Sequence, residues 1–161
     1  MTPRPTLSFL FRHPAHFVAL GFGAGLAPRA PGTWGTCVAI PIALLLQKYA
    51  GDAGFIAATV LLFVLGAWAS QVTGRHLGVP DHGAIVIDEI AAFLLVLFFT
   101  GTDWPRMAVA FLLFRAFDIV KPPPIRQLDA MMKNGLGVML DDLLAAGYAL
   151  LVFALGQRIL G

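Results

Sequence analysis

The sequence predicts an all-α fold: a small integral membrane helical bundle with about four to five apolar helices, forming one domain over residues 1–161. Three observations predict it. Charged residues make up 12% of the chain, about half the ~25% usual in soluble domains, and apolar residues make up 58%. So few charges cannot cover the surface of an ordinary water-soluble domain. Apolar runs of bilayer-crossing length recur along the chain, too long and too uniform for alternating barrel strands. A helix also satisfies its own backbone polar groups inside lipid.

The same composition excludes other classes. There is too much apolar surface for a disordered chain. The single cysteine, Cys37, has no partner for a disulfide or a paired-cysteine zinc site. A net charge of +2 is too small for a nucleic-acid binder.

The elements follow in order. Residues 17–27 come after Arg4 and Arg12 and look a little like a signal peptide. Gly21, Gly23 and Gly25 make a poor apolar helix and Pro28, Pro31 and Gly32 follow at once, so the expectation is that this segment is retained. Residues 36–50 are short, contain Pro41 and carry Lys48; they either cross obliquely or dip and return. Residues 53–74 hold no charged side chain between Asp52 and Arg75 and reach about 33 Å as a helix, enough for a ~30 Å hydrocarbon core. Residues 84–100 carry Asp88 and Glu89, residues 105–120 carry Arg115 and Asp118, and residues 138–157 carry Asp141 and Asp142.

Chain direction brings these acids together. If residues 53–74 end on one membrane face, the loop with Asp81 and His82 lies on that face, and the next helix leaves it with Asp88 and Glu89 about one turn in. The following helix returns with Asp118 and ends at Lys121 and three prolines. The last helix leaves with Asp141 and Asp142 in its first turn. Asp81, Asp88, Glu89, Asp118, Asp141 and Asp142 thus collect at one depth, where an ionised carboxylate costs several kcal/mol unless paired or metal-bound. Asp52, Asp103 and Asp129 fall in expected loops and need no explanation. Arg75, Lys121, Arg126 and Lys133 share the acidic face, joined by Arg4, Arg12 and Arg29 if residues 36–50 cross. Lys48, Arg106 and Arg158 lie opposite. The positive-inside rule then puts the acids in the cytoplasm.

Plainer readings compete. Either acidic pair alone can cap a helix. Asp118 can pair with Arg115, three residues earlier on the same helical face. His82 is by default a loop residue. The stretch 21–35, GFGAGLAPRAPGTWG, is a flexible loop or a source of backbone N–H groups which, with Thr33 and Thr36, approach a phosphate. Two pairs plus Asp118 on one face favour a shared site. Carboxylates without cysteines are ligands for a hard cation, and magnesium is the natural choice. With Arg29, Lys121 and Arg126 as counter-charges, the site suits a phosphorylated lipid. A small cation transporter using the same acids, or a scaffold in which they only cap helices, are the alternatives; transporters place such groups near the midplane between repeated halves, and no repeat is visible here.

Four ordered blocks carry a resemblance: GFGAGLAPRAPGTWGT from Gly21, DHGAIVIDE from Asp81, FDIVKPPPI from Phe117 and GLGVMLDD from Gly135. From about His16 onward the chain resembles the phosphatidylglycerophosphatase A family. Ala92 and Asn134 depart from the usual pattern, where glycine is common; neither removes a charge. The resemblance implies an all-helical enzyme of the bacterial inner membrane, multi-pass, with its site facing the cytoplasm. It implies magnesium-dependent removal of the phosphomonoester of phosphatidylglycerophosphate, giving phosphatidylglycerol and inorganic phosphate. The expected metal ligands are Asp81, Asp88, Glu89, Asp141 and Asp142. Asp118, Asp88 and Lys121 are the expected catalytic groups, with Asp118 a further ligand or general base. Thr33, Thr36, His82, Lys121 and Arg126 are expected to hold substrate phosphate. Whether a water or a carboxylate attacks phosphorus is left open by the sequence, as is the oligomeric state.

Overall fold

In the computed structural model, which describes residues 4–160, every regular element is helical. Two short helices, α1 (Leu7–Leu10) and α2 (Pro14–Ala19), lead into a 3-10 stretch, Gly21–Leu26. The long helices follow: α3 (Pro31–Tyr49), α4 (Gly51–Leu77), α5 (Ile87–Thr100) and α6 (Trp104–Val120). A short α7 (Ile125–Met131) precedes α8 (Gly135–Leu160).

Local chemistry sets the ends. Pro31 and Pro105 stand in the first turns of α3 and α6, where a missing N–H costs nothing. Asn134 accepts the Gly137 N–H at 2.8 Å and so starts α8. Gly78, with φ +73°, closes α4 in the left-handed conformation open to glycine.

α5 is the centre of the bundle. Past its acidic first turn its residues are apolar on all sides from Ile90 to Phe99, and Ile90, Phe93, Leu94 and Leu97 are fully buried. It packs against α3, α4, α6 and α8, with Phe93 stacked on Phe114 and Phe98 against Phe55. The outer helices turn large apolar side chains outward: Leu44 and Leu45 on α3, Val60, Leu61 and Val64 on α4, Leu112 on α6, Leu151 and Leu155 on α8. α4 and α8 are long and apolar enough to cross a membrane, and less than half of either apolar stretch is buried in the bundle.

Four sequence expectations change. Residues 36–50 belong to α3, which passes Pro41 unbroken. Its start lies against Glu89, and Gln47 near its end accepts a hydrogen bond from Thr102 beyond α5, so α3 runs the length of the bundle beside α5. The stretch 21–35 is loop only at residues 27–30; the 3-10 turn Gly21–Leu26 precedes them and the first turn of α3 follows. α5 starts at Ile87 rather than at 84, because residues 84–86 are tied elsewhere: the Val86 N–H donates to the Ala19 carbonyl and the Ala84 N–H to His82 Nδ1. α8 starts at Gly135, so Asp141 and Asp142 sit in its second turn rather than its first.

Candidate active site

Asp88 and Glu89 stand in the first turn of α5, and Asp142 faces them from the second turn of α8. One carboxylate oxygen from each lies within 4.8 Å of the other two. Asp88 Oδ1, Glu89 Oε2 and Asp142 Oδ2 are buried and have no hydrogen-bond partner. Three acceptor-only groups crowded together in an apolar bundle repel one another and have lost their water, so the arrangement calls for a cation. Oxygen donors without sulfur or imidazole suit a hard divalent ion.

Around this trio lie two cation–carboxylate pairs. Arg115 on α6 binds Asp118 one turn on and reaches Glu89 Oε1 at 3.5 Å. Its Nε is buried without a partner. Lys121 closes α6 in a left-handed conformation, φ +46°, unusual for a residue with a Cβ. That turn sends its ammonium to Asp141 at 2.5 Å, with Asp129 of α7 at 3.6 Å. Burial works against the Lys121 charge, but the bond to Asp141 and the charges of Asp141, Asp129 and Asp81 hold its pKa above the ordinary lysine value.

The start of α3 covers the trio. A Cβ on Gly32 would overlap Glu89 Oε1 and crowd both terminal nitrogens of Arg115. Only glycine lets the α3 backbone approach so closely. Thr33 follows in the same turn, half-buried, while the buried Thr36 hydroxyl donates to the Gly32 carbonyl at 2.9 Å.

The other expected residues are spread around this centre. Asp81 is exposed in the α4–α5 loop and is not among the converging oxygens. Arg126 is exposed on α7. His82 is buried, and its Nδ1 accepts the Ala84 N–H at 3.1 Å. Burial lowers its pKa, against the charge of Asp81. Asp141 is 3% exposed and bound to Lys121, beside the trio rather than in it. Two partners escaped sequence reasoning. The sequence puts Asp129 in a loop, yet it shares Lys121 with Asp141. Helical spacing pairs Arg115 only with Asp118, yet it also spans to Glu89. No sequence signal marks Asp129, whereas a lone arginine inside an apolar helix marks Arg115.

Known proteins match this chain over most of its length. The family profile described as Phosphatidylglycerophosphatase A matches residues 17–157. A Haemophilus influenzae phosphatidylglycerophosphatase A is 43% identical over 87% of this chain and 86% of its own length. Its Escherichia coli namesake is 37% identical over 83% of this chain and 77% of its own length. A Bacteroides thetaiotaomicron protein, provisionally named a phosphatidylinositol-3-phosphatase, is 38% identical over 89% and 94%. No solved structure matches the chain. With its four sequence blocks folded around one acidic centre, the chain belongs to the phosphatidylglycerophosphatase A family of phosphatases.

Proposed function

We propose that this chain is a magnesium-dependent lipid phosphatase that hydrolyses phosphatidylglycerophosphate to phosphatidylglycerol and inorganic phosphate. The observation that carries the reading is the trio of buried, unpartnered carboxylate oxygens on Asp88, Glu89 and Asp142. They would hold the ion, with Asp141 and Asp81 as the further ligands of this reading. A magnesium ion bound there supplies polarisation of phosphoryl oxygens and a more acidic bound water.

The chain's own residues supply the rest. Asp118, held toward Glu89 by Arg115, takes the proton of the attacking group as general base. Lys121 spends one of its three donors on Asp141 and offers another to phosphate. Thr33 and the first turn of α3 orient the phosphate, and Thr36 braces that turn through Gly32. His82 and Arg126 extend the donor set toward the headgroup.

In this reading α3, α4, α5, α6 and α8 form a multi-pass bundle in the bacterial inner membrane. Arg4, Arg12, Arg29, Arg75, Lys121, Arg126 and Lys133 lie at the acidic end and only Lys48, Arg106 and Arg158 at the other, which orients the site to the cytoplasm. Exposed Trp34 and Trp104, at opposite ends of the bundle, suit the two interfaces. At 14 residues α5 is too short to cross alone, and the surrounding helices shield its ends.

The test is phosphate release from micellar phosphatidylglycerophosphate by purified protein, with magnesium and with chelator. Release that needs the metal and disappears in Asp142→Asn is the expected result. Metal-independent release overturns the cofactor assignment, and no release overturns the activity.

A further inference from the structure

Lys121 reaches Asp141 because the chain turns sharply at the end of α6. Residues 121–124 form the strap that joins α6 to α7. Lys121 holds φ +46°, a conformation that is costly for a residue with a Cβ and persists where its surroundings impose it. Three successive prolines, Pro122, Pro123 and Pro124, offer no N–H groups, so the strap is tied down through its carbonyls and its packing. Two of those carbonyls serve the start of α7. Pro122 accepts the Ile125 N–H at 2.9 Å, and Pro124 accepts the N–H groups of Gln127 and Leu128 at 3.1 and 3.0 Å. The third, Pro123, is left for a partner on another helix.

That partner is the half-buried Tyr148 of α8. Its hydroxyl donates to the Pro123 carbonyl at 2.9 Å, and its ring stacks on Phe117 with centroids 5.4 Å apart. The Phe117 carbonyl in turn accepts the Lys121 N–H at 2.9 Å. Tyr148 therefore grips the chain on both sides of Lys121, by a ring before it and by a carbonyl after it. It stands about two turns of α8 beyond Asp141, so both side chains leave the same face of that helix. Asp141 takes the Lys121 ammonium, and Tyr148 takes the backbone that carries it. Among the described residues no other side chain hydrogen-bonds to the backbone of residues 117–124.

Resting on the phosphatase reading above, we propose that Tyr148 is a positioning residue for Lys121: by holding the chain at Phe117 and Pro123 it aims the ammonium at the substrate phosphate. Tyr148 is outside the carboxylate trio and acts through Lys121 alone. The phenyl ring by itself keeps the stack on Phe117, whereas the hydroxyl fixes the strap, so removing that one oxygen isolates the effect.

The experiment measures kcat and KM for phosphatidylglycerophosphate in mixed micelles with magnesium. It also measures the concentration of inorganic phosphate that gives half the maximal thermal shift of the purified protein. In Tyr148→Phe, KM and the half-saturating phosphate concentration rise about fivefold, the scale of one hydrogen bond, with a smaller change in kcat. The thermal shift produced by magnesium stays as in the unmutated protein. In a Lys121→Gln background, where phosphate is already held more weakly, Tyr148→Phe adds no further loss, because its effect passes through Lys121. Unchanged KM and phosphate affinity in Tyr148→Phe, whatever the change in stability, overturns the positioning role and leaves the phosphatase reading standing. An equal further loss in the Lys121→Gln background does the same. Failure of the unmutated protein to hydrolyse the lipid overturns the phosphatase reading, and the positioning role with it.

Discussion

Arg115 Nη1 lies between Asp118 and Glu89, bonded to the first and 3.5 Å from the second, so one buried guanidinium joins α6 to α5 at the acidic centre. Its side chain is 14% exposed. Removing one partner of such a pair strands the others, at a cost of about 3–5 kcal/mol. Arg115→Ala is expected to lower phosphate release at least a hundredfold and to lower the unfolding temperature in detergent. Arg115→Lys, which keeps the charge but not the planar fork, should recover stability more than activity. Equal activity in the alanine variant would remove Arg115 from the site.

Gly32 makes the opposite kind of test, since the change adds atoms. Gly32→Ala forces a methyl group against Glu89 and Arg115, so activity should fall tenfold or more. Gly147→Ala on α8 meets nothing within 4 Å and serves as the control. There the substitution should be neutral or add roughly 0.5–1 kcal/mol by helix propensity.

Metal binding is readable without turnover. Magnesium at about a hundred times its dissociation constant should stabilise the folded protein by about 2.7 kcal/mol. Glu89→Gln and Asp142→Asn should lose this thermal shift while remaining folded, because each removes charge repulsion within the trio. A shift retained in both variants would place the ion elsewhere.

The N-terminal segment carries a pH dependence. His16 is 2% exposed, its Nδ1–H donates to the Phe9 carbonyl, and Nε2 accepts from His76 Nδ1–H. Burial lowers its pKa below the ordinary 6.5; the Phe9 bond opposes this, and His76, His13 and Arg12 add to it. The folded value lies below the unfolded one, so this contribution is complete above about 6.5 and is lost as pH falls below it. Trypsin cleavage after exposed Arg12 should therefore accelerate between about pH 7.5 and pH 5.5. His16→Gln should flatten the profile.

Much of the acidic centre was legible in the sequence for a topological reason. Helices that alternate in direction return every second end to the same level, so Asp88, Glu89, Asp118, Asp141 and Asp142 could be brought to one end without coordinates. What stayed hidden depends on contacts between distant segments. The start of α5 is set by the bond from Val86 to Ala19, and the course of residues 21–35 by packing against residues 84–86. Neither contact has a local sequence signature. The turn of Lys121 toward Asp141 is likewise hidden, because helical spacing puts Lys121 in line with Asp118 and only the left-handed residue at the end of α6 redirects it.

Because α5 has other helices on every side, the two acids it carries are insulated from the solvent that surrounds the protein laterally. If the bundle spans a bilayer as proposed, thickening or thinning that bilayer would act first on the apolar flanks of α4 and α8, which can tilt to follow it. The phosphatase should thus keep its turnover across acyl chains of different length. Substitutions among outward-facing leucines and valines can adapt it to a new membrane without disturbing the chemistry at its centre.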